Sequence, residues 1–284
     1  MYRSDPVLVQ TIKSKAATKK RKPIYGVAVL DKELFVVSSE VEVYDSMKFS
    51  LKFLLKLKEL ILPKDIGSCS RNQCLYIFDF KCEDRSKEIL RVDPSGKLIK
   101  TWSTGDDYGR LSVTYESNVI FIVHSKSQLY EYSSDGQLIR EISLLSDADI
   151  HHPYYAIKLT NGHFVVSHGD FAEGGLHRVC VVDEDGKLIK SFGGTPGSTV
   201  GQLNHPNYLS VDGKGYVMVA DRMTSRVLLL YSDLEFKREI LSKEKHGLRH
   251  PTSILLDEPS GRLFVVDNEL GSEGRILIFT LRYM

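Results

Sequence analysis

The sequence lacks the features of a disulfide scaffold, a zinc finger or a membrane protein. Its 284 residues hold four cysteines, Cys69, Cys74, Cys82 and Cys180, and their spacing fits neither a disulfide framework nor a zinc site. No apolar run approaches the roughly 20 residues of a membrane-spanning helix, and the N-terminus shows no secretory signal. These absences predict a cytoplasmic protein with reduced, mostly buried thiols and no membrane partner.

The sequence also lacks a charge excess and the common catalytic signatures. Lysine and arginine number 38 against 37 acidic residues, a net charge of +1, which argues against the domain-wide basic field of a dedicated nucleic-acid binder. There is no Gly-x-Ser-x-Gly elbow, phosphate-binding loop or HExxH motif. We therefore expect no catalytic centre, no bound metal and no cofactor.

An internal repeat is what the sequence does contain. Five prolines each precede, by 15 or 16 residues, the polar residue that ends an apolar run. The pairs are Pro23 with Ser38, Pro63 with Asp79, Pro153 with His168, Pro206 with Asp221, and Pro251 with Asp267. A sixth unit, "LSVTYESNVIFIVH" (111–124), keeps the pattern without the proline. Such self-similarity is typical of a repeat architecture.

Each unit contains four short apolar runs and tight turns. Turns such as "SSDGQLIREI" and "DEDGKLIKSF" place glycine where a hairpin needs a positive φ. Six units of about 40 to 50 residues, each with four antiparallel strands, predict an all-β, six-bladed β-propeller. The segment "SMKFSLKFLLKLKELIL" (46–62) could form an amphipathic helix, but its place in the repeat favours a fourth strand.

The two ends of the chain predict how the ring closes. The sixth unit stops after three strands at Met284, and "DPVLVQTIKS" (5–14) alternates like the other fourth strands. We expect this segment to pair with the last blade, because closure removes exposed sheet edges. Residues 1–284 are therefore interpreted as one propeller domain.

The units resemble NHL repeats over essentially the whole chain, most clearly in units four to six. "GQLNHPNYLSVDGKGYVMVADRMTSRVLLL" (201–230) carries Asp221 and Arg226 where the family has its Asp and Arg, and "FVVDNELGSEGRILIF" (264–279) carries Asp267, Asn268 and Arg275. The chain is most similar to the C-terminal propeller of tripartite-motif proteins. That resemblance implies recognition of a protein partner or RNA. The family's RING and B-box region confers ubiquitin-ligase activity, and its cysteine pattern is absent from this sequence.

The candidate binding surface is one face of the predicted ring, here called the top face. It carries the loops that lead into each blade's first strand and the loops between strands two and three, and binding residues often lie on such loops. The candidates on it are Arg178, His205, Arg222, Arg226, Arg275, Lys19, Lys20, Arg21 and Lys22. Several of these arginines could instead pin the repeat, with Arg226 and Asp221 as the favoured pair. The basic run 13–22 is a solvated linker, an RNA phosphate contact or a nuclear signal.

Three His-Pro pairs, at His152, His205 and His250, occupy equivalent positions. They favour a repeated turn that begins each inner strand, with convergence on a metal as the alternative. Of the inner-strand carboxylates, only Asp212 and Asp257 are considered for calcium, and their strand-end positions favour turns.

Three tyrosines, Tyr25, Tyr155 and Tyr208, recur two residues after the proline and favour packing between blades over stacking on RNA bases. The function expected from all of this is non-catalytic recognition of a protein partner through the top face. RNA binding is the alternative, and a metal-dependent propeller lyase or hydrolase is a weaker one. The pattern specifies no oligomeric state.

Overall fold

Six four-stranded antiparallel sheets surround a central channel. The computed structural model describes residues 5–14, 23–80, 87–105, 108–145, 148–170, 172–269 and 273–281. Each sheet is one blade, and the innermost strands of successive blades contact one another in ring order, with the last contacting the first. The predicted all-β, six-bladed propeller is confirmed.

The strands follow the repeat in chain order. Those of the first three blades are β2 (Gly26–Leu30), β3 (Glu33–Val37), β4 (Val41–Asp45), β5 (Leu51–Leu55), β6 (Pro63–Cys69), β7 (Cys74–Phe80), β8 (Lys87–Val92), β9 (Leu98–Ser103), β10 (Gly109–Val113), β11 (Val119–Val123), β12 (Gln128–Tyr132) and β13 (Leu138–Ser143). Those of the last three, with the closing strand, are β14 (Pro153–Lys158), β15 (Phe164–Gly169), β16 (His177–Val182), β17 (Leu188–Gly194), β18 (Pro206–Val211), β19 (Val217–Asp221), β20 (Arg226–Leu230), β21 (Phe236–Leu241), β22 (Pro251–Asp257), β23 (Arg262–Asp267), β24 (Arg275–Thr280) and β1 (Val7–Lys13).

The N-terminal strand closes the ring, as the sequence predicts. β1 is the outer strand of the sixth blade and pairs antiparallel with β24, from Val7 opposite Thr280 to Lys13 opposite Arg275. Ile12 is the buried residue of this strand and joins the core between the last and first blades, while Leu8 is 47% exposed. The two ends of the chain are thereby held in one sheet.

Four of the five 15- and 16-residue spacings are cross-strand pairs, and the spacing from Pro23 to Ser38 lies outside the paired strands of the first blade. Pro63, Pro153, Pro206 and Pro251 begin inner strands, and each lies opposite the last or last-but-one residue of the second strand of its blade. The register shifts immediately after each of these prolines, so that one extra residue enters the inner strand. The extra residues are Lys64, Tyr154, Asn207 and Thr252. These are β-bulges, which re-aim the side chain of the inserted residue.

Glycine sets the hairpins that lead to the outer strands. Gly96, Gly136 and Gly186 have φ between 79° and 92°, a conformation that is open to glycine because it has no Cβ. Each of their backbone N–H groups donates to the carbonyl three residues earlier. The predicted hairpin chemistry is confirmed at these turns, and the segment 46–62 contributes the strand β5 rather than a helix.

The core lies between neighbouring blades, where apolar side chains of the second and third strands face the next sheet. Serines on inner strands add direct bonds between blades. The Ser68 hydroxyl donates to Val29 O at 2.8 Å and the Ser112 hydroxyl donates to Ala156 O at 2.7 Å. Such bonds satisfy polar groups at the channel wall, where unpaired ones would cost stability.

Helical structure is limited to short turns among the described residues. Lys243–His246 form a single α-helical turn, capped by the Ser242 hydroxyl. No helix in the described part of the chain is long and apolar enough to cross a membrane. Cys69, Cys74 and Cys180 are buried free thiols, and Cys82 lies outside the described residues.

Candidate functional site: a cleft at the mouth of the channel

An ionic clamp fixes the top face of the fifth blade. Asp221 ends β19 with a fully buried side chain, and its carboxylate accepts from Asn204 N at 2.7 Å and from Arg226 Nε at 2.9 Å. The Arg226 guanidinium also donates to Ser198 O and Gln202 O at 2.6 and 2.7 Å. The Asp221 carboxylate and the Arg226 guanidinium therefore hold the loop that leads into β18, because both bond to its backbone.

The same clamp recurs in the neighbouring blades. In the sixth, Asp267 accepts from Arg275 Nε at 2.9 Å and from His250 N at 2.7 Å. In the fourth, His168 replaces the aspartate, and its Nε2 accepts from Arg178 Nε at 3.0 Å. The guanidinium groups of Arg178, Arg226 and Arg275 all donate to loop carbonyls as well. The structure thus places these three predicted site residues in internal bonds that shape the face.

A cleft of about 650 Å³ opens at the channel mouth across blades three to five. Its lining consists of Tyr108, Arg110, His124, His152, Tyr154, Asp170, Ala172, His205, Asn207 and Arg222. Tyr154 and Asn207 are bulge residues, so the bulges in β14 and β18 supply part of the lining. A concave site with aromatic walls and a few polar groups is the usual form of a ligand pocket.

The aromatic rings of the cleft contact one another in a row. Ring centroids are 5.4 Å apart for Tyr108 and His124, 5.7 Å for His124 and Tyr154, and 4.3 Å for Tyr154 and His205. The Tyr154 hydroxyl donates to Gly169 O at 3.1 Å. These contacts fix the rings in place, which lowers the entropy that a ligand must overcome on binding.

Buried polar side chains form the floor of the cleft. Arg110 donates to Tyr25 O at 2.9 Å and lies 3.8 Å from the carboxylate of Asp65, which also accepts from Leu111 N and from the Tyr208 hydroxyl. Burial raises the pKa of Asp65 to about 6, against the opposing effect of Arg110. The ring of Tyr208 stacks on that of Tyr155 at 3.7 Å.

This polar floor separates two cavities. Arg110 lines the cleft above, whereas Tyr155 and Tyr208 line a second cavity of about 220 Å³ farther down the channel. The Tyr155–Tyr208 stack is the packing role favoured for these tyrosines. The contacts among Arg110, Asp65 and Tyr208 lie between the two cavities, so a ligand in the cleft has charged and aromatic groups on its channel side.

Two histidines of the cleft, His205 and His124, are held neutral. Burial, with the nearby Arg222, lowers the pKa of His205 to about 3, and burial lowers that of His124 to about 4. His205 Nδ1 lies 3.3 Å from an Arg222 nitrogen that can only donate, and His124 Nδ1 contacts Pro153 O. The first contact requires an unprotonated Nδ1 on His205, and the second requires N–H on His124.

Arg222 carries a charge that no described carboxylate balances. It is partly buried, and burial followed by the proximity of Arg110 lowers its pKa. Its Nε is buried without a hydrogen-bond partner among the described residues. Asp170, the carboxylate of the cleft lining, accepts from Ala172 N at 2.9 Å. An arginine that is partly removed from water without a counter-charge is costly unless an anion joins it.

The three His-Pro pairs begin inner strands, which confirms the turn interpretation. His152 and His205 adopt φ of 47° and 64° before their prolines, a left-handed conformation that few residues with a Cβ adopt. Both line the cleft, whereas His250 does not. Within the described ranges, no three His, Cys, Asp or Glu side chains come together as a metal site.

The carboxylates considered for calcium form turns instead. Asp212 accepts from Lys214 N and Tyr216 N, and Asp257 accepts from the Ser260 hydroxyl. A further inner-strand carboxylate, Asp65, lies within β6 with a fully buried side chain.

Of the predicted site residues, the structure brings His205 and Arg222 together in the cleft. Lys19, Lys20, Arg21 and Lys22 lie outside the described residues. The sequence reasoning missed Arg110, His124, Tyr154 and Asn207. The available signal for Arg110 was a charged residue directly before the predicted inner strand of the unit 111–124. The signal for His124 was its position equivalent to Asp221.

Comparison with known proteins supports the fold. No protein-family model matches the sequence, and no curated protein matches it. Among solved structures, a gluconolactonase from Xanthomonas campestris is 14% identical, with a TM-score of 0.64 over 98% of this chain and 95% of that one. The WD40 propeller domain of Doa1 is 12% identical, with a TM-score of 0.62 over 97% of each chain. Hydrazine synthase from Kuenenia stuttgartiensis is 10% identical, with a TM-score of 0.63 over 93% of this chain and 98% of that one. At these identities the likeness shows a β-propeller and does not distinguish NHL repeats from other propellers.

Proposed function

We propose that this propeller is a non-catalytic recognition module that holds a protein partner in the cleft at its channel mouth. The observation that carries the proposal is the pairing of fixed aromatic walls with Arg222, a partly buried and unbalanced cation. Aromatic and arginine side chains supply most of the binding energy at protein interfaces. Exposed apolar side chains on nearby top-face loops, Val200 at 75% and Met223 at 48%, extend the surface that a partner would cover.

The resemblance to NHL propellers supports a finer version of the proposal. In it, the partner is a substrate that the propeller presents within a ubiquitin-ligase-type protein. The gluconolactonase likeness supports no lactone chemistry in this chain, because it extends only to the fold.

Site-specific photocrosslinking tests the proposal. A benzophenone amino acid replaces Asn207 in the cleft or, as a control, Lys100 on the exposed outer strand β9. We expect a discrete protein adduct from position 207 and not from position 100. The adduct partner, once purified, should bind the wild-type chain and lose affinity for the double variant Tyr154→Ala, Arg222→Ala. Equal adducts at both positions, or unchanged affinity of the double variant, would contradict the proposal.

RNA is a second candidate ligand because the aromatic row could stack bases beside Arg222. The charges argue against it, since a single-stranded RNA needs several cations along its backbone and one of the two cleft arginines is already paired with Asp65. Binding of a random RNA pool at 50 and 200 mM salt decides between them. A steep loss of affinity with salt, removed by neutralising Lys19, Lys20, Arg21 and Lys22, would favour RNA.

A further inference from the structure

We propose that the cleft binds an acidic side chain of its partner and that Arg222 is the residue that selects this side chain. This inference rests on the proposed function, since it names what the protein partner presents. The ligand chemistry is a single oxyanion, a carboxylate or a phosphate monoester, carried by an extended peptide.

The charge balance of the cleft is the first step. Arg110 has a counter-charge in Asp65 and bonds to two backbone carbonyls, so its charge is largely satisfied inside the protein. Arg222 contacts the neutral ring of His205 and lies near Tyr154 and Arg110, and its Nε has no partner among the described residues. The lining also holds the carboxylate of Asp170, which accepts from Ala172 N and forms no described ion pair with Arg222. Arg222 is therefore the cleft cation without a direct counter-charge among the described residues, which matches one acidic group rather than a polyanion.

The second step is the geometry of the donors. A guanidinium presents a planar fork that suits two oxygen atoms of a carboxylate or phosphate. Asn207, from the bulge in β18, adds an amide to the same cleft. The neighbouring rings of Tyr154 and His205, 4.3 Å apart, form an aromatic wall on one side of the site. An ion pair formed against such a wall of low polarity is stronger than one in water.

The size of the cleft is the third step. About 650 Å³ accommodates a few side chains, in the range of ordinary ligand pockets. Arg110 and Asp65 form the floor of the cleft, so we place the extended segment across the mouth of the channel. An acidic residue near the middle of such a segment would reach Arg222, and its neighbours would contact the aromatic walls.

Peptide selection tests this inference. The intact chain is used to select from a random 12-residue peptide library, and selected peptides are resynthesised with each Asp or Glu changed to Asn or Gln. We expect enrichment of an acidic residue at one position and an affinity loss of about 10- to 100-fold on its neutralisation. Arg222→Met should lose the acidic preference, and Arg249→Met, which removes an exposed arginine paired with Glu269, should keep it.

A second variant protects the test against misfolding. Asn207→Asp places a carboxylate in the same cleft and should also abolish the acidic preference while the thermal unfolding midpoint stays close to that of the wild type. Competition with inorganic phosphate and with acetate, and the same peptides carrying phosphoserine in place of the acid, distinguish the two oxyanions.

The outcomes separate the two proposals. Peptides that bind in the cleft without an acidic preference, or with one that Arg222→Met retains, would overturn this inference and leave the proposed function standing. Selection of no peptide at all, together with RNA binding that Arg222→Met removes, would overturn both.

Discussion

Asp221 and Arg226 show how one ion pair can determine a whole loop. The Asp221 carboxylate is inaccessible to water, and burial raises its pKa despite the arginine and the backbone donors beside it. Removing the two charges of this pair from water costs free energy. Hydrogen bonds to the backbone at Ser198, Gln202 and Asn204 offset that cost. The value of such a buried pair lies in the geometry that it imposes.

Loss of the arginine should therefore be costly. We expect Arg226→Met to lower the free energy of unfolding by about 3 to 5 kcal/mol, because it leaves the Asp221 carboxylate buried without its partner. Urea unfolding at pH 7 measures the loss. Arg249→Met is the matched control, since Arg249 and Glu269 form an exposed pair that should contribute less than about 1 kcal/mol. Equal losses for the two variants would show that the clamp does not stabilise the blade.

At the scale of elements, the closing strand β1 holds the ring through one side chain. Ile12 lies among the buried residues of the last and first blades, while the first residues of the strand face solvent. Backbone pairing with β24 gives β1 its register, and Ile12 provides its apolar contact with the core.

We expect Ile12→Ala to lower the free energy of unfolding by about 2 to 4 kcal/mol, as for other buried aliphatic truncations. Leu8→Ala, in the same strand but with an exposed side chain, should change it by less than about 0.5 kcal/mol. Thermal and urea unfolding of both variants provide the comparison. A small effect of Ile12→Ala would mean that pairing with β24 alone closes the ring.

The elements also show what a sequence can and cannot predict here. The interval from Pro206 to Asp221 spans two strands and a turn, so it predicted their pairing and, through repetition, all six blades. The bulges were not predictable in this way, because one inserted residue breaks the two-residue alternation that assigns side chains to faces. Tyr154 and Asn207 therefore escaped notice although they line the cleft. Asp65 and Arg110 belong to different blades, and a contact between blades cannot be predicted from a local sequence pattern.

At the scale of the whole molecule, buried histidines couple stability to pH. Burial lowers the pKa values of His124, His168 and His205 to about 4, 3 and 3, whereas an unfolded histidine titrates near 6.5. Each histidine therefore contributes stability that is present above about pH 6.5 and is lost as the pH falls toward the folded value. Asp65, with a pKa raised to about 6, acts in the opposite direction between about pH 4 and 6.

The three histidines should have a larger effect on the pH dependence of stability than Asp65. Going from pH 7 to pH 5, each histidine lowers the free energy of unfolding by about 2 kcal/mol, while protonation of Asp65 raises it by about 1 to 1.5 kcal/mol. We expect the thermal unfolding midpoint to fall clearly between pH 7 and pH 5. His168→Gln keeps an acceptor for Arg178 and should reduce that fall. A midpoint independent of pH over this range would contradict the prediction.

The bulges after Pro153 and Pro206 have a consequence for how such a protein can change over generations. The inserted residue pairs with no residue of the neighbouring strand. Replacing it therefore changes the lining of the cleft and leaves the packing between blades as it was. Four blades have such an inserted residue, and in two of them, at Tyr154 and Asn207, it lines the cleft, whereas Lys64 and Thr252 do not line it. Specificity can accordingly diverge by single substitutions on an unchanged scaffold, and descendants of one ancestral ring can acquire different partners without first losing their fold.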